Sequence, residues 1–240
     1  MKNSGITKMV WIGQLDLDNG PGIVAAIGSD AIATALKAKY MGADILEIRI
    51  DLLGINVQED LARLLHGLKE QVGLPIIVTN RCQKEGGQWE GSEESRMDIL
   101  ISAIPFADGV DVELSAPFRT RVNEAMRSGN KTLIISSHDF KTTPSYGDML
   151  SILKLANAAG ADIAKLAVTP DSSADTLRLL TVTQDADFPV CTIAMGKLGS
   201  HTRVVAPIYG SVLTYGSVDE IVAPGQLRID ELKHMLEVLV

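Results

Sequence analysis

Lys165 and His138 stand in this 240-residue chain where an ionisable side chain is costly unless it is used. Lys165 is the one cation of the run Asp162-Ile163-Ala164-Lys165-Leu166-Ala167-Val168. A lysine buried in mid-strand is unfavourable unless it is paired or neutral. As a neutral amine it is a nucleophile, which requires its reference pKa of ~10.4 to fall towards ~7–8, as burial beside other cations allows. His138 follows the run Ile134-Ile135-Ser136-Ser137, where an imidazole at a strand end can carry protons. The pair points to carbonyl chemistry through a Schiff base, with His138 moving protons. Each residue also has a structural reading. Lys165 can snorkel to a rim or pair with Glu113, and a lone strand-end histidine is often structural.

More charges interrupt other apolar runs. In Ile45-Leu46-Glu47-Ile48-Arg49-Ile50-Asp51 the alternation of a strand puts Glu47, Arg49 and Asp51 on one face, with the isoleucines expected on the other. Arg81 follows Ile76-Ile77-Val78-Thr79-Asn80, while Asp111 and Glu113 alternate with Val110, Val112 and Leu114. Such inward charges form either a salt-bridge cluster or a site. No HExxH, HxH or CxxC spacing occurs, so no metal site is expected. Cys82 and Cys191 are too few for a disulfide framework and are expected to be small packed residues. Glu85-Gly86-Gly87 after a strand suggests a mobile loop.

These residues need elements to hold them. Eight β-branched runs are candidate strands: Ile23–Ile27, Ile45–Ile50, Ile76–Thr79, Val110–Leu114, Thr132–Ser136, Ile163–Val168, Val190–Ala194 and Val212–Tyr215. Between them lie segments of helical periodicity, including Val57–Gln71, Glu93–Ala107, Tyr146–Ala159 and Asp175–Thr183. Gly42, Gly109 and Gly160 each sit between a helical segment and a strand, where a left-handed glycine can end a helix. Near-continuous Ile/Val/Leu runs imply strands buried on both faces, hence a parallel sheet covered by helices. Eight βα units in this length predict an α/β fold, a single (βα)8 TIM barrel over residues 1–240, whose site is built at the C-terminal ends of its strands. A doubly wound open sheet would usually use fewer strands. Met9–Leu17 is not needed for the barrel and is expected to form a hairpin closing its lower end.

Composition bounds the partners. The chain is 46% apolar with a formal charge of −8. It can bury a large core, and its charge opposes broad nucleic-acid or membrane-surface binding. Met1 to Gln14 lacks a signal-peptide pattern, and the longest uncharged run, Val204 to Val218, is too short to span a bilayer. A cytoplasmic protein is expected.

With Glu47-Ile48-Arg49-Ile50-Asp51, Arg81…Glu85-Gly86-Gly87, Ser137-His138-Asp139-Phe140, Lys165 and Ala223-Pro224-Gly225-Gln226 in order, the chain from about Ile23 onward resembles the type I 3-dehydroquinate dehydratases. These are Schiff-base-forming lyases of the shikimate pathway, in aromatic amino acid biosynthesis. The resemblance implies a (βα)8 barrel, a homodimer, no metal or cofactor, and 3-dehydroquinate as a small-molecule substrate. It implies that Lys165 attacks the C3 ketone to form an imine. His138 would take the C2 proton and return it to the departing C1 hydroxyl, a syn elimination giving 3-dehydroshikimate. Arg203, eight residues after Met195, would pair with the substrate carboxylate. Glu47, Arg49 and Arg81 would hold ring hydroxyls, and Gln226 would close over the site. Met195 would pack on the ring, and Glu85 would help order the site. Two departures stand out: Val222 and Ala25-Ala26 occupy positions where the family often has serine.

Two other functions remain in play. A class I aldolase acting on sugar phosphates would need a phosphate cradle, for which Tyr209-Gly210-Ser211 to Tyr215-Gly216-Ser217 is the candidate. A catalytically inactive barrel kept for binding would be expected to lack Lys165 or His138, and both are present.

Overall fold

Each expected apolar run forms a parallel strand in the computed structural model, which describes residues 9–129, 131–219 and 221–239. A hairpin of β1 (Trp11–Ile12) and β2 (Leu15–Asp16) comes first. The barrel strands follow: β3 (Gly22–Ile27), β4 (Ile45–Arg49), β5 (Ile76–Thr79), β6 (Gly109–Glu113), β7 (Thr132–Asp139), β8 (Ile163–Val168), β9 (Val190–Ala194) and β10 (Leu213–Gly216). The helices between them are α1 (Ala31–Met41), α2 (Ile50–Leu53), α3 (Gln58–Gln71), α4 (Glu93–Ala103), α5 (Arg119–Gly129), α6 (Tyr146–Ala158) and α7 (Ser173–Asp185). Two short turns, α8 (Gly196–Gly199) and α9 (Thr202–Val205), follow β9, and α10 (Ile229–Leu239) ends the fold.

The parallel sheet runs β10-β3-β4-β5-β6-β7-β8-β9, a (βα)8 barrel whose last seam is the weakest. Between β9 and β10 a single bridge, Val190 to Ser211, carries the pairing, with Val212 N donating to Val190 O at 2.8 Å. Side chains reinforce it: Ser211 Oγ accepts from Thr192 N at 3.2 Å, and the Cys191 thiol donates to Leu213 O at 3.5 Å. Cys191 is thus the small packed residue expected of it, at the seam.

Two differences from the expected elements bear on the site. β7 runs on to Asp139, pairing His138 with Ala167 and Asp139 with Val168, so His138 sits within the strand, not beyond it. Asp51 leaves the strand and enters α2, since β4 ends at Arg49. At the αβ junctions Gly42 and Gly160 adopt left-handed backbones, with φ of 99° and 98°. Gly109 does not. It opens β6, where a β-carbon would lie 3.0 Å from Thr132 O, so close strand approach is what requires it.

The core has two layers. Leu46, Ile48, Val78, Val112, Ile135, Leu166 and their neighbours pack outward against the helices. Inside, Val24, Ile45, Ile77, Ile134, Ile163 and Leu213 fill the barrel's lower half. Ile45 is therefore on the same face as Glu47, and the isoleucines of β4 do not all face outward. Strand parity requires this, since residues 45, 47 and 49 point one way.

The hairpin seals the interior from below. Val10, Ile12 and Leu17 are buried in the interior cluster, and the Thr132 hydroxyl donates to Trp11 O. Ile12 is fully buried. Ile12→Ala is expected to destabilise the fold by about 2–5 kcal/mol, the cost of a cavity at a rigid site. Urea unfolding with an unchanged m-value would register it, and a change below about 1 kcal/mol would show that the plug is not part of the core.

Candidate active site

Above the apolar layer the same inward positions carry charge. Register places Ser136 beside Lys165 and Thr79 beside Asp111, so strands β4 to β8 present one polar belt. Lys165, 4% exposed, donates to Asp111 Oδ2 at 2.8 Å and lies 3.6 Å from Glu47 Oε1. Glu47 also accepts from the Thr79 hydroxyl at 2.8 Å. Burial alone would lower the Lys165 pKa, but Asp111, Tyr215 and Glu47 outweigh it and hold the amine well above its ordinary value. The protein therefore carries an ammonium here. The neutral amine expected from the sequence is wrong for this state, because carboxylates from two other strands converge on it.

Asp111 is the hub of the belt. Its Oδ1 accepts from Arg81 at 2.6 Å and from the Ser136 hydroxyl at 2.6 Å. Burial would raise its pKa, yet Arg81 and Lys165 hold it far below the ordinary carboxylate range. Arg81 further donates to Ser136 Oγ at 2.8 Å and pairs with Glu113 at 3.1 Å. Glu113 pairs with Arg96 of α4 at 2.8 Å and accepts from Cys82 N at 3.0 Å. Glu113 thus serves the arginines and is not the partner of Lys165.

His138 is set by Glu85. Glu85 Oε2 accepts from His138 N at 3.0 Å and lies 2.9 Å from His138 Nδ1. A carboxylate can only accept, so Nδ1 carries the proton and Nε2 keeps its lone pair. Burial, with the positive charges of Arg81 and Lys165 nearby, holds the imidazole well below its ordinary pKa, and hence neutral. Glu85 comes from a tight turn in which Gly87 N donates to Cys82 O at 2.9 Å. A β-carbon on Gly87 would strike Arg81 O at 1.9 Å, and left-handed Gly86 lies against the Phe140 ring. The paired glycines provide close packing that presents Glu85 to His138; the turn is not the loose loop expected from its composition.

The remaining expected residues complete the wall. Arg49 pairs side-on with Asp51 through Nε at 3.0 Å and Nη2 at 2.8 Å. Asp51 also accepts from Arg81 N and Gln88 N, tying two loops together. Arg203, 2% exposed, donates to three backbone carbonyls: Gly225 at 2.9 Å, Pro224 at 3.0 Å and Tyr215 at 3.1 Å. Among the described residues no carboxylate forms an ion pair with it, and burial lowers its pKa to about 10. Gln226 Oε1 accepts from Val222 N at 2.8 Å and Ala223 N at 3.0 Å, which folds its loop onto the mouth. Glu47, Arg49, Arg81, His138, Lys165, Arg203 and Gln226 all line one cavity of about 200 Å³. A lysine, a neutral histidine and an arginine with no ion-paired carboxylate among the described residues, in one pocket, can form an imine, move a proton and hold an anion.

A sequence profile of the type I 3-dehydroquinases matches residues 23–240. The chain belongs to the type I 3-dehydroquinase family. It is 51% identical to the 3-dehydroquinate dehydratase of Methanosarcina barkeri over 241 residues, covering 96% of this chain and 100% of that one. It is 50% identical to that of Methanococcoides burtonii over 233 residues, with the same coverage. Among solved structures, the 3-dehydroquinate dehydratase of Geobacillus kaustophilus superposes with a TM-score of 0.92 at 30% identity, over 97% of this chain and 96% of that one. A type I enzyme from Clostridium difficile, described with covalently modified comenic acid, gives 0.91 at 29% identity over 98% of each chain. A truncated 3-deoxy-D-arabino-heptulosonate 7-phosphate synthase from Thermotoga maritima, at 12% identity and a TM-score of 0.59 over 97% of this chain and 90% of that one, shares the fold alone.

Family membership leaves the individual environments to be read from the site. The parity of Asp111 with Glu113 on β6 is visible in the sequence, but its place as the hub of the belt is not. Arg96 shows in the sequence only as a charge on a helical face, and Tyr215 only as the end of a strand. Ala26 and Val222, the two alternatives to serine, both line the cavity and also bound a second hollow of about 550 Å³ beside α1.

Proposed function

We propose that residues 1–240 act as one catalytic barrel domain in which Lys165 and His138 dehydrate 3-dehydroquinate to 3-dehydroshikimate through a lysine imine. The observation that carries this is the ammonium of Lys165 sharing one cavity with neutral His138 and with a cation, Arg203, that has no carboxylate partner among the described residues. The substrate is an anion. Its carboxylate supplies the counter-charge that Arg203 lacks, and the guanidinium fork can bind it bidentately. Glu47, Arg49 and Arg81 hold the ring hydroxyls. Three Arg81 donor contacts already serve Ser136, Asp111 and Glu113, so its contribution is mainly to fix the wall. Gln226 keeps the loop closed, and Met195 packs on the ring.

The chemistry then follows from the charges. Lys165 must lose a proton before it attacks the C3 carbonyl, and neutral His138 accepts it. The amine adds to C3. His138 returns the proton to the carbinolamine oxygen, water leaves, and an iminium remains. That cation draws electrons from the adjacent C2–H bond, and His138 Nε2 takes the proton to leave an enamine. The enamine expels the C1 hydroxyl, which leaves as water with the proton from His138. Water then adds to the conjugated iminium and releases 3-dehydroshikimate and Lys165. His138 is neutral at both ends of each proton cycle.

Incubation with 3-dehydroquinate should generate the conjugated enone, followed by its absorbance, and borohydride should trap a mass adduct on the Lys165 peptide. Absence of both products refutes the reaction. Arg203→Met is expected to raise KM by about 10–100-fold with a smaller change in kcat, the loss of a charged hydrogen bond. Steady-state kinetics would show it, and an unchanged KM would remove Arg203 from carboxylate binding.

The same reading includes a homodimer in the cytoplasm with a small molecule as its partner, and neither nucleic acid nor membrane. The family resemblance supports the dimer, the free thiols of Cys82 and Cys191 fit a reducing compartment, and a charge of −8 opposes polyanion binding. Light scattering on the eluted protein tests the dimer. No observation favours an aldolase: of the candidate cradle, Tyr209-Gly210-Ser211 precedes β10 at the opposite end of the barrel from the catalytic rim, and at the rim Ser217 spends its backbone N–H and its hydroxyl on Leu227 O, at 2.9 and 3.4 Å.

A further inference from the structure

Tyr215 belongs to none of the steps above, yet it touches both halves of the site. Its ring centroid lies 4.1 Å from Lys165 Nζ, and its backbone carbonyl accepts from Arg203 at 3.1 Å. The side chain is buried within the barrel, and its hydroxyl has no hydrogen-bond partner among the described residues. A buried hydroxyl left unpaired is unfavourable, so hydrogen bonding does not account for this residue. The face of the ring does, because its quadrupole attracts a cation most strongly where water is excluded.

We propose that the face of the Tyr215 ring is a catalytic surface that holds the Lys165 nitrogen as a cation, first as the ammonium and then as the protonated imine. Asp111 holds the ammonium through an N–H bond at 2.8 Å, with Glu47 3.6 Å away as a second counter-charge. An iminium has one N–H in place of three, so that directional hold weakens as the imine forms. An aromatic face needs no N–H, and its attraction survives the change. It therefore favours the protonated imine over the neutral one, and only the protonated form is an effective electron sink for removal of the C2 proton. The proposal rests on the imine chemistry above and adds a residue that keeps the imine charged.

Fluorinated phenylalanines test it without changing shape. Tyr215→Phe, then mono-, di- and trifluorophenylalanine at the same position, drain the ring face in steps. Two measurements are read on each variant with 3-dehydroquinate: kcat, and the pH above which the C2 proton is no longer removed, followed by loss of deuterium from substrate labelled at C2. The expected result is a stepwise fall in kcat, reaching about 10–30-fold, with the alkaline limit of C2 exchange moving to lower pH at each step. Tyr215→Leu should resemble the last member of the series, and Tyr215→Phe should share the alkaline limit of the wild type. Variants that show no trend with fluorination, or a Tyr215→Phe enzyme that matches Tyr215→Leu, overturn the proposal, the second because the hydroxyl would then be the active group. Wild-type enzyme that yields no borohydride adduct would instead refute the imine reading itself.

Discussion

Lys165→Ala is expected to erase the borohydride adduct and to lower kcat by about 10⁴–10⁶-fold, the scale of losing a covalent nucleophile. The argument is geometric as well as chemical. Among the described residues that line the cavity, Lys165 is the one primary amine, and Glu47, Asp111 and Tyr215 surround it. Its removal also unbalances the belt, since Asp111 then faces one cation fewer. Breaking a buried ion pair typically costs ~3–5 kcal/mol, but Asp111 keeps Arg81 and the Ser136 hydroxyl, so the loss should fall below that range. Thermal melting separates the two effects: a folded variant without turnover supports the assignment. Activity within tenfold of wild type would mean that the imine forms elsewhere or not at all.

The second large effect concerns His138. His138→Ala is expected to lower kcat by about 10²–10⁴-fold while an adduct at Lys165 still forms slowly, because the amine remains but the proton carrier is gone. Near-normal turnover would show that another group is the base. The wild-type pH dependence follows from the same environment. With His138 as the proposed base, catalysis needs the neutral imidazole, and burial with Arg81 and Lys165 nearby lowers the His138 pKa. The acid limb of kcat/KM should therefore lie below the ordinary histidine value of ~6.5. Stability moves with the opposite cost. As pH falls below ~6.5 the unfolded chain binds a proton that folded His138 refuses, so stability declines on acidification through that window. His138→Ala should remove that part of the decline. Asp111 acts lower on the scale: its depressed folded pKa contributes stability that is present above ~3.9 and is lost as pH falls further.

Much of this site was legible along single strands. Alternation alone put Glu47 and Arg49 on one face, and the same rule places Lys165 level with Ile163 and Ala167, pointing inward. Eight β-branched runs separated by helical segments led to the barrel, whose C-terminal rim is where the charges cluster. The surplus segment Met9–Leu17 was legible as a plug because nothing in the barrel required it, and Ile12 and Leu17 do fill the bottom. The glycine turns were legible only in part. Gly42 and Gly160 end helices as expected, whereas Gly109, Gly86 and Gly87 answer to atoms from segments their local sequence does not specify.

What the chain determined by itself was which residue types face inward and at what height, because a strand's side-chain period is a local property of its backbone. What only the tertiary structure decided was who faces whom. The ammonium of Lys165 depends on Asp111 from β6 and Glu47 from β4. The neutrality of His138 depends on burial and on cations from other strands. Among the described residues Arg203 faces backbone carbonyls and no acid, because the loop through Pro224 and Gly225 folds over it. Each of these is a sum over charges and dipoles within a few ångströms, and barrel closure, not sequence separation, sets those distances.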